Sequence, residues 1–161
     1  MIGTGEMIIR LLLAAVFGAL IGIEREYRSK VAGLRTHLLV SIGSALMMLL
    51  SQYGFGGQGD PSRLAAQIVS GIGFIGAGAI IMDRSQAVHG LTTAAGIWVS
   101  SGIGMTVAAG MYTLAAVATG LSLLGLEFAV FAFRRSNEDA GDKKSGEGRQ
   151  TAEMQNKSIS D

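Results

Sequence analysis

Five stretches of this chain are nearly free of charge, and short polar segments separate them. Residues 7–23 (MIIRLLLAAVFGALIGI), 38–55, 64–82 (LAAQIVSGIGFIGAGAIIM), 91–109 (LTTAAGIWVSSGIGMTVAA) and 111–133 are each at least 17 residues long. At about 1.5 Å per residue, helices of this length reach across most or all of the ~30 Å hydrocarbon core of a bilayer. The pattern predicts an all-α protein: a polytopic membrane helix bundle of five transmembrane helices over residues 1–133. Residues 134–161 hold too few large apolar groups to offset the entropy of ordering, so they read as a disordered tail.

Within the spans, small residues recur at helical spacing. In the third, Ala66, Ser70, Gly73 and Ala77 fall on one side, with Gly71 and Gly78 beside them and Gly76 nearby. A bare face gains nothing against lipid but lets another helix approach closely, so this span is expected to be the central packing helix. The fourth repeats Thr92, Gly96, Ser100, Gly104 and Ala108 at every fourth residue, and is expected to lie against the third. The first carries Ala14, Gly18 and Gly22. Gly71, Gly73 and Gly76 also spell G-x-G-x-x-G, the phosphate-cradling turn of dinucleotide-binding folds. That motif needs an acidic residue about 20 positions on, and here Asp83 follows too soon and Glu127 too late.

The connecting segments carry their own signals. Glu24–Arg28 and Glu26–Lys30 are i,i+4 pairs in the favourable order, so the first helix should continue into water as far as Gly33. Asp60 before Pro61 reads as an N-cap followed by proline in the first helical position. Gly110 permits a tight turn between the last two spans, and Arg10 is expected to snorkel outward to the headgroups.

Composition sharpens this. The 161 residues are 49% hydrophobic and only 16% charged, and the charges concentrate between Glu24 and Arg35 and beyond Phe133. Lys and Arg divide eleven to two between the two sides of a five-span protein, which predicts the N-terminus outside and the C-terminus in the cytoplasm. The basic cluster follows the first apolar run rather than preceding it, so that run is expected to be retained rather than cleaved as a signal peptide. There is no cysteine, and the two histidines and scattered carboxylates form no nucleophile–base or metal-ligand constellation. No enzyme chemistry, cofactor, metal site or nucleic-acid contact is predicted. Asp60 alone is a thin basis for Mg²⁺, which prefers several oxygen ligands and retained waters.

Four stretches together resemble the MgtC/SapB-type bacterial membrane proteins: GALIGIERE (18–26), AGLRTHLLVSIGSAL (32–46), DPSRLAAQIVSGIGFIGAGAII (60–81) and GLTTAAGIWVSSGIG (90–104). The resemblance implies a multi-pass protein of the bacterial inner membrane. It implies a role in growth at low magnesium, survival inside host cells or acid tolerance, through membrane potential or the ATP synthase rather than Mg²⁺ transport itself. Virulence-associated members carry a soluble domain after the membrane part, and the short tail here suggests a SapB-like member without it.

The polar residues near the span ends are the functional candidates. Glu24, Arg25 and Glu26 match the family stretch and are expected to share a cytoplasmic network with Arg35, Thr36 and His37; a solvated helix end is the plainer account. At the other mouth lie Asp60 and Arg63, with Gln67 a turn further in, where its amide needs a partner in another helix or a water-filled cavity. Thr92 and Thr93 can bond back to their own helix or across to Gln67. Trp98 reads as a packing anchor. Glu127, about two turns before Arg134, is near enough to the span end to snorkel, and a functional intramembrane carboxylate is the alternative. The sequence therefore predicts a non-enzymatic membrane regulator surrounded by lipid, contacting itself as a homo-oligomer or another inner-membrane protein. The alternative is a small-ion transporter or channel with a polar path between spans three and four.

Overall fold

The structure, a computed structural model, describes residues 2–55, 60–82 and 87–127. The tail over 134–161, the end of the fifth span and the GGQG segment before Asp60 lie outside the described residues. Among those described, the chain is α-helical apart from one two-residue ladder. The elements are α1 (Thr4–Tyr27), α2 (Leu34–Leu49) running into a π-helical turn (Leu50–Gly54), α3 (Pro61–Gly78), β1 (Ile81–Met82), β2 (Val88–His89) and α4 (Leu91–Ala108). A fifth helix, α5, runs over Tyr112–Glu127. β1 and β2 pair antiparallel, Ile81 opposite His89, and close the connection from α3 to α4.

Local chemistry sets most of the element ends. α1 has Glu6 in its first turn and Arg25 in its last, both complementary to the helix dipole. It stops earlier than predicted. Ser29, not Gly33, takes the left-handed conformation (φ 52°), and the amides of Ser29 and Lys30 bond back to the carbonyls of Glu26 and Arg25 at 2.9 Å each. Asp60 caps α3 as expected, its Oδ1 accepting the Ser62 N–H at 2.9 Å. The Ser62 hydroxyl, followed by that amide, holds the Asp60 carboxyl below the usual carboxylate range. The cap is therefore present above the ordinary carboxylate range and is lost as pH falls through the lowered value. Gly90 (φ 90°) is required where β2 turns into α4, because a Cβ there would overlap the Ala79 carbonyl.

Residues Met1–Leu123 form one packed unit; of the second, Leu124–Asp161, only the end of α5 is described. In the first unit α1, α2 and α4 pack on one another through glycine and serine. A Cβ on Gly18 would stand 2.6 Å from the Ser41 Cβ, and one on Gly22 would stand 2.6 Å from the Leu34 Cα. On Gly104 it would overlap the Ser41 carbonyl oxygen, and on Gly96 it would lie 3.2 Å from His37 Cε1. These helices touch backbone to backbone, which is what small residues allow in a bundle without a hydrophobic driving force of its own.

This corrects the expectation that the third span is the central packing helix. A Cβ on Gly71, Gly73 or Gly78 would meet nothing within 4 Å, and Gly76 merely approaches Ala94 at 3.7 Å. Ser70 and Ala77 are also exposed. The bare stripe of α4 lies against α2, not α3. The physical reason is polar satisfaction: α2 carries His37, Ser41 and Ser44, which need buried partners, and α4 supplies Ser100 and Ser101. Trp98 is 52% exposed and is not a packing anchor within the chain.

Three helical segments, Thr4–Tyr27, Leu34–Gly54 and Leu91–Ala108, are long and apolar enough to cross a membrane. α3 has the length, 18 residues, but Arg63 and Gln67 dilute its hydropathy.

Candidate functional site

The seam between α1, α2 and α4 is polar, which is unusual inside so apolar a bundle. His37 is fully buried (0% exposed), and its Nδ1 lies 2.8 Å from Ser100 Oγ. Ser41 Oγ donates to the Ala14 carbonyl at 2.7 Å, and Ser44 and Ser101 hydroxyls pair at 2.7 Å. Burying a hydroxyl without a partner costs at least ~1 kcal/mol, so these pairs fix how the three helices meet. Among the described residues, the buried His37 Nε2 has no hydrogen-bond partner.

At one end of the seam lies Arg25, 2% exposed, held by its neighbour Glu24: Nε to Oε2 at 2.5 Å and Nη2 to Oε1 at 2.7 Å. Arg28 joins the same carboxylate at 3.6 Å, the i,i+4 pair expected from the sequence. Glu26 takes a different role. Its Oε2 accepts the Leu34 N–H at 2.8 Å and so caps α2 from outside, which Gly33 allows because a Cβ there would sit 2.8 Å from that oxygen. Glu26, Lys30, Val31, Gly33, Arg35 and Thr36 line a polar recess of about 300 Å³. The expected network is therefore split. Glu24 and Arg25 face the seam near His37, whereas Glu26, Arg35 and Thr36 face the recess. Glu26→Ala is expected to release the Leu34 amide and speed its hydrogen exchange about tenfold. An unchanged rate by exchange mass spectrometry would show that the cap contributes nothing.

The other end holds a cluster that sequence reasoning missed. Arg10 is 8% exposed and points inward rather than snorkelling. Its Nη1 donates to the Ala108 carbonyl at 2.6 Å and to the Tyr53 hydroxyl at 3.4 Å, and its Nε bonds Glu6 Oε1 at 3.0 Å and the Tyr112 hydroxyl at 3.1 Å. The Tyr112 hydroxyl donates to the same Glu6 oxygen. The guanidinium also stands 5.9 Å from the centre of the Tyr112 ring. Gly110, at φ 82°, makes the turn and leaves room for the guanidinium, since a Cβ there would lie 3.0 Å from Nη2. The π-helical turn aims Tyr53 at Arg10 from α2. One arginine thus ties α1, α2, α4 and α5 together. The signal was present: Glu6 and Arg10 are an i,i+4 pair, and two of the three tyrosines stand at the same predicted membrane face.

The remaining candidates are not brought together. α3 runs antiparallel to α4, with Gly76 beside Ala94. Gln67 therefore lies about 15–17 Å along the axis from Thr93 and Thr92. Its side chain is exposed, as are Arg63 and Thr92, while Thr93 is buried. No bond can join Gln67 to these threonines within the chain. Among the described residues, no three His, Cys, Asp or Glu side chains gather as a metal site.

Apolar helices of spanning length, closed around buried ion pairs and mutually bonded hydroxyls, define a multi-pass α-helical membrane protein. A sequence model of the MgtC family matches residues 11–134, and the chain belongs to that family. It is 51% identical over 144 residues to a protein of Escherichia coli K12 named "Putative magnesium transporter YhiD", covering 84% of this chain and 66% of that one. It is 49% identical over 112 residues to "Protein MgtC" of Salmonella typhimurium, covering 70% of this chain and 47% of that one. An uncharacterised protein of Haemophilus influenzae is 39% identical over 128 residues, covering 74% and 54%. The chain thus spans between about half and two thirds of these relatives' lengths. No solved structure matches it.

Proposed function

We propose that this chain is a non-enzymatic protein of the bacterial inner membrane that modulates ion homeostasis or membrane potential under low-magnesium or acid stress. It acts through helix contacts with itself or another membrane protein, and does not conduct ions through its own core. Five spans, with the N-terminus outside and the C-terminus cytoplasmic, accord with the placement of Lys and Arg. The observation that carries the reading is the closeness of α1, α2 and α4 at Gly18, Gly22 and Gly104, where even a methyl group has no room. A hydrated cation needs several oxygen ligands and waters, whereas the seam hydroxyls are already bonded to protein. The magnesium link is supported by the family and by the name of the Escherichia coli relative.

That same name favours a second reading, ion transport. Purified protein in sealed vesicles separates the two. The regulator reading expects Mg²⁺, K⁺ and H⁺ fluxes no faster than in protein-free vesicles. A flux that needs the protein and disappears in Gln67→Ala would overturn it in favour of transport.

A further inference from the structure

α3 exposes Arg63, Gln67 and Ser70 together with apolar Val69, Phe74 and Ile75, a mixed surface for a helix in lipid. Its apolar Ile72 and its Gly76 face the other helices. At 100° per residue the opposite side presents Arg63, Gln67, Ser70 and Phe74, all exposed, with Phe74 at 84%. In hydrocarbon the Gln67 amide would lose both its donors and its acceptor to a medium that offers neither. A partner covering this face and bonding the amide would remove that cost.

We infer that a second copy of this chain covers it, α3 against α3 about a two-fold axis along the membrane normal. The chemistry of the face is self-complementary. An amide is both donor and acceptor, so Gln67 and its symmetry mate can bond each other reciprocally. Asp60 and Arg63 are both exposed, bear opposite charges and stand one turn apart. Across the axis each arginine therefore reaches the other copy's aspartate. The Phe74 ring is flanked along the helix by Gly71 and Gly78, beside which there is open space. The same bare patch on the second copy is the hole that the ring needs. Among the described residues nothing lies within 4 Å of where a Cβ on Gly71 or Gly78 would stand, so the contact forms without disturbing the α1–α2–α4 core.

This rests on α3 lying in the membrane, and the experiment separates the two claims. The protein has no cysteine, so single substitutions report cleanly. Ser70→Cys lies on the proposed contact, and Ile75→Cys, on a flank of the same helix, is the control. After mild oxidation in native membranes, Ser70→Cys is expected to give a disulfide-linked dimer of twice the chain mass, and Ile75→Cys little. Adding Gln67→Leu to Ser70→Cys is expected to lower that yield about fivefold. Equal cross-linking of the two variants overturns the contact, as does an adduct with a different protein. If Ser70→Cys instead reacts freely with a membrane-impermeant maleimide, the face lies in water, and the placement of α3 in the bilayer fails with it.

Discussion

Gly104→Ala is expected to be among the most damaging single-methyl changes in this protein. The new Cβ would overlap the carbonyl oxygen of Ser41. A backbone atom cannot swing aside as a side-chain end can, so α2 and α4 must part. Parting them also stretches the bonds from His37 to Ser100 and from Ser44 to Ser101. Overpacking of this kind costs about 1–3 kcal/mol, and the coupled loss of buried hydroxyl partners puts the expected effect at the upper end. The comparison is Gly73→Ala. A Cβ there meets nothing within 4 Å, and alanine favours a helix over glycine by up to ~1 kcal/mol. Thermal unfolding in detergent, followed by circular dichroism, should show a large drop for the first and no drop for the second. Equal effects would mean that α2 and α4 do not meet as described.

Arg10→Met carries the second large effect. Methionine keeps much of the volume and removes five donors, leaving the Ala108 carbonyl without the bond at 2.6 Å and Glu6 without its cation. Leaving a buried acceptor without its hydrogen bond costs about 1–3 kcal/mol. Glu6 is partly exposed and can recover water, so it adds little to that. Arg35→Met, at an exposed site on α2, should stay within ~0.5 kcal/mol of the parent. Glu6→Gln in the Arg10→Met background should cost less than the two changes separately, because the carboxylate matters chiefly through the guanidinium. Additive effects in such a double-mutant cycle would show that the two are not coupled.

Much of the architecture was legible from local pattern. Runs of apolar residues mark the helices, Asp60–Pro61 marks the start of α3, and the Glu24–Arg28 spacing predicts an ion pair that forms. The family stretches around Glu24–Glu26 and 90–104 contain the buried Arg25 and the seam hydroxyls of Ser100 and Ser101, whereas the Arg10 end of the seam lies outside them. What misled was the reading of small residues. Glycine at every fourth position says that a helix face can be approached, not by whom. The third and fourth spans carry equally bare stripes, and among the described residues only that of the fourth is filled. Gln67 and the threonines looked like partners because they share a pair of neighbouring helices. Their heights along an antiparallel pair set them apart.

Sequence alone determined that this is an all-α chain of apolar helices with polar ends, because helix formation and apolar length depend on neighbouring residues and their period. Tertiary structure alone decided that Arg10 turns inward, that Glu26 serves α2, and that α2, not α3, meets the bare face of α4. Each of those outcomes depends on which distant groups can satisfy a buried donor or acceptor. That is a competition among helices for partners, and the order of residues along any one helix does not contain its result.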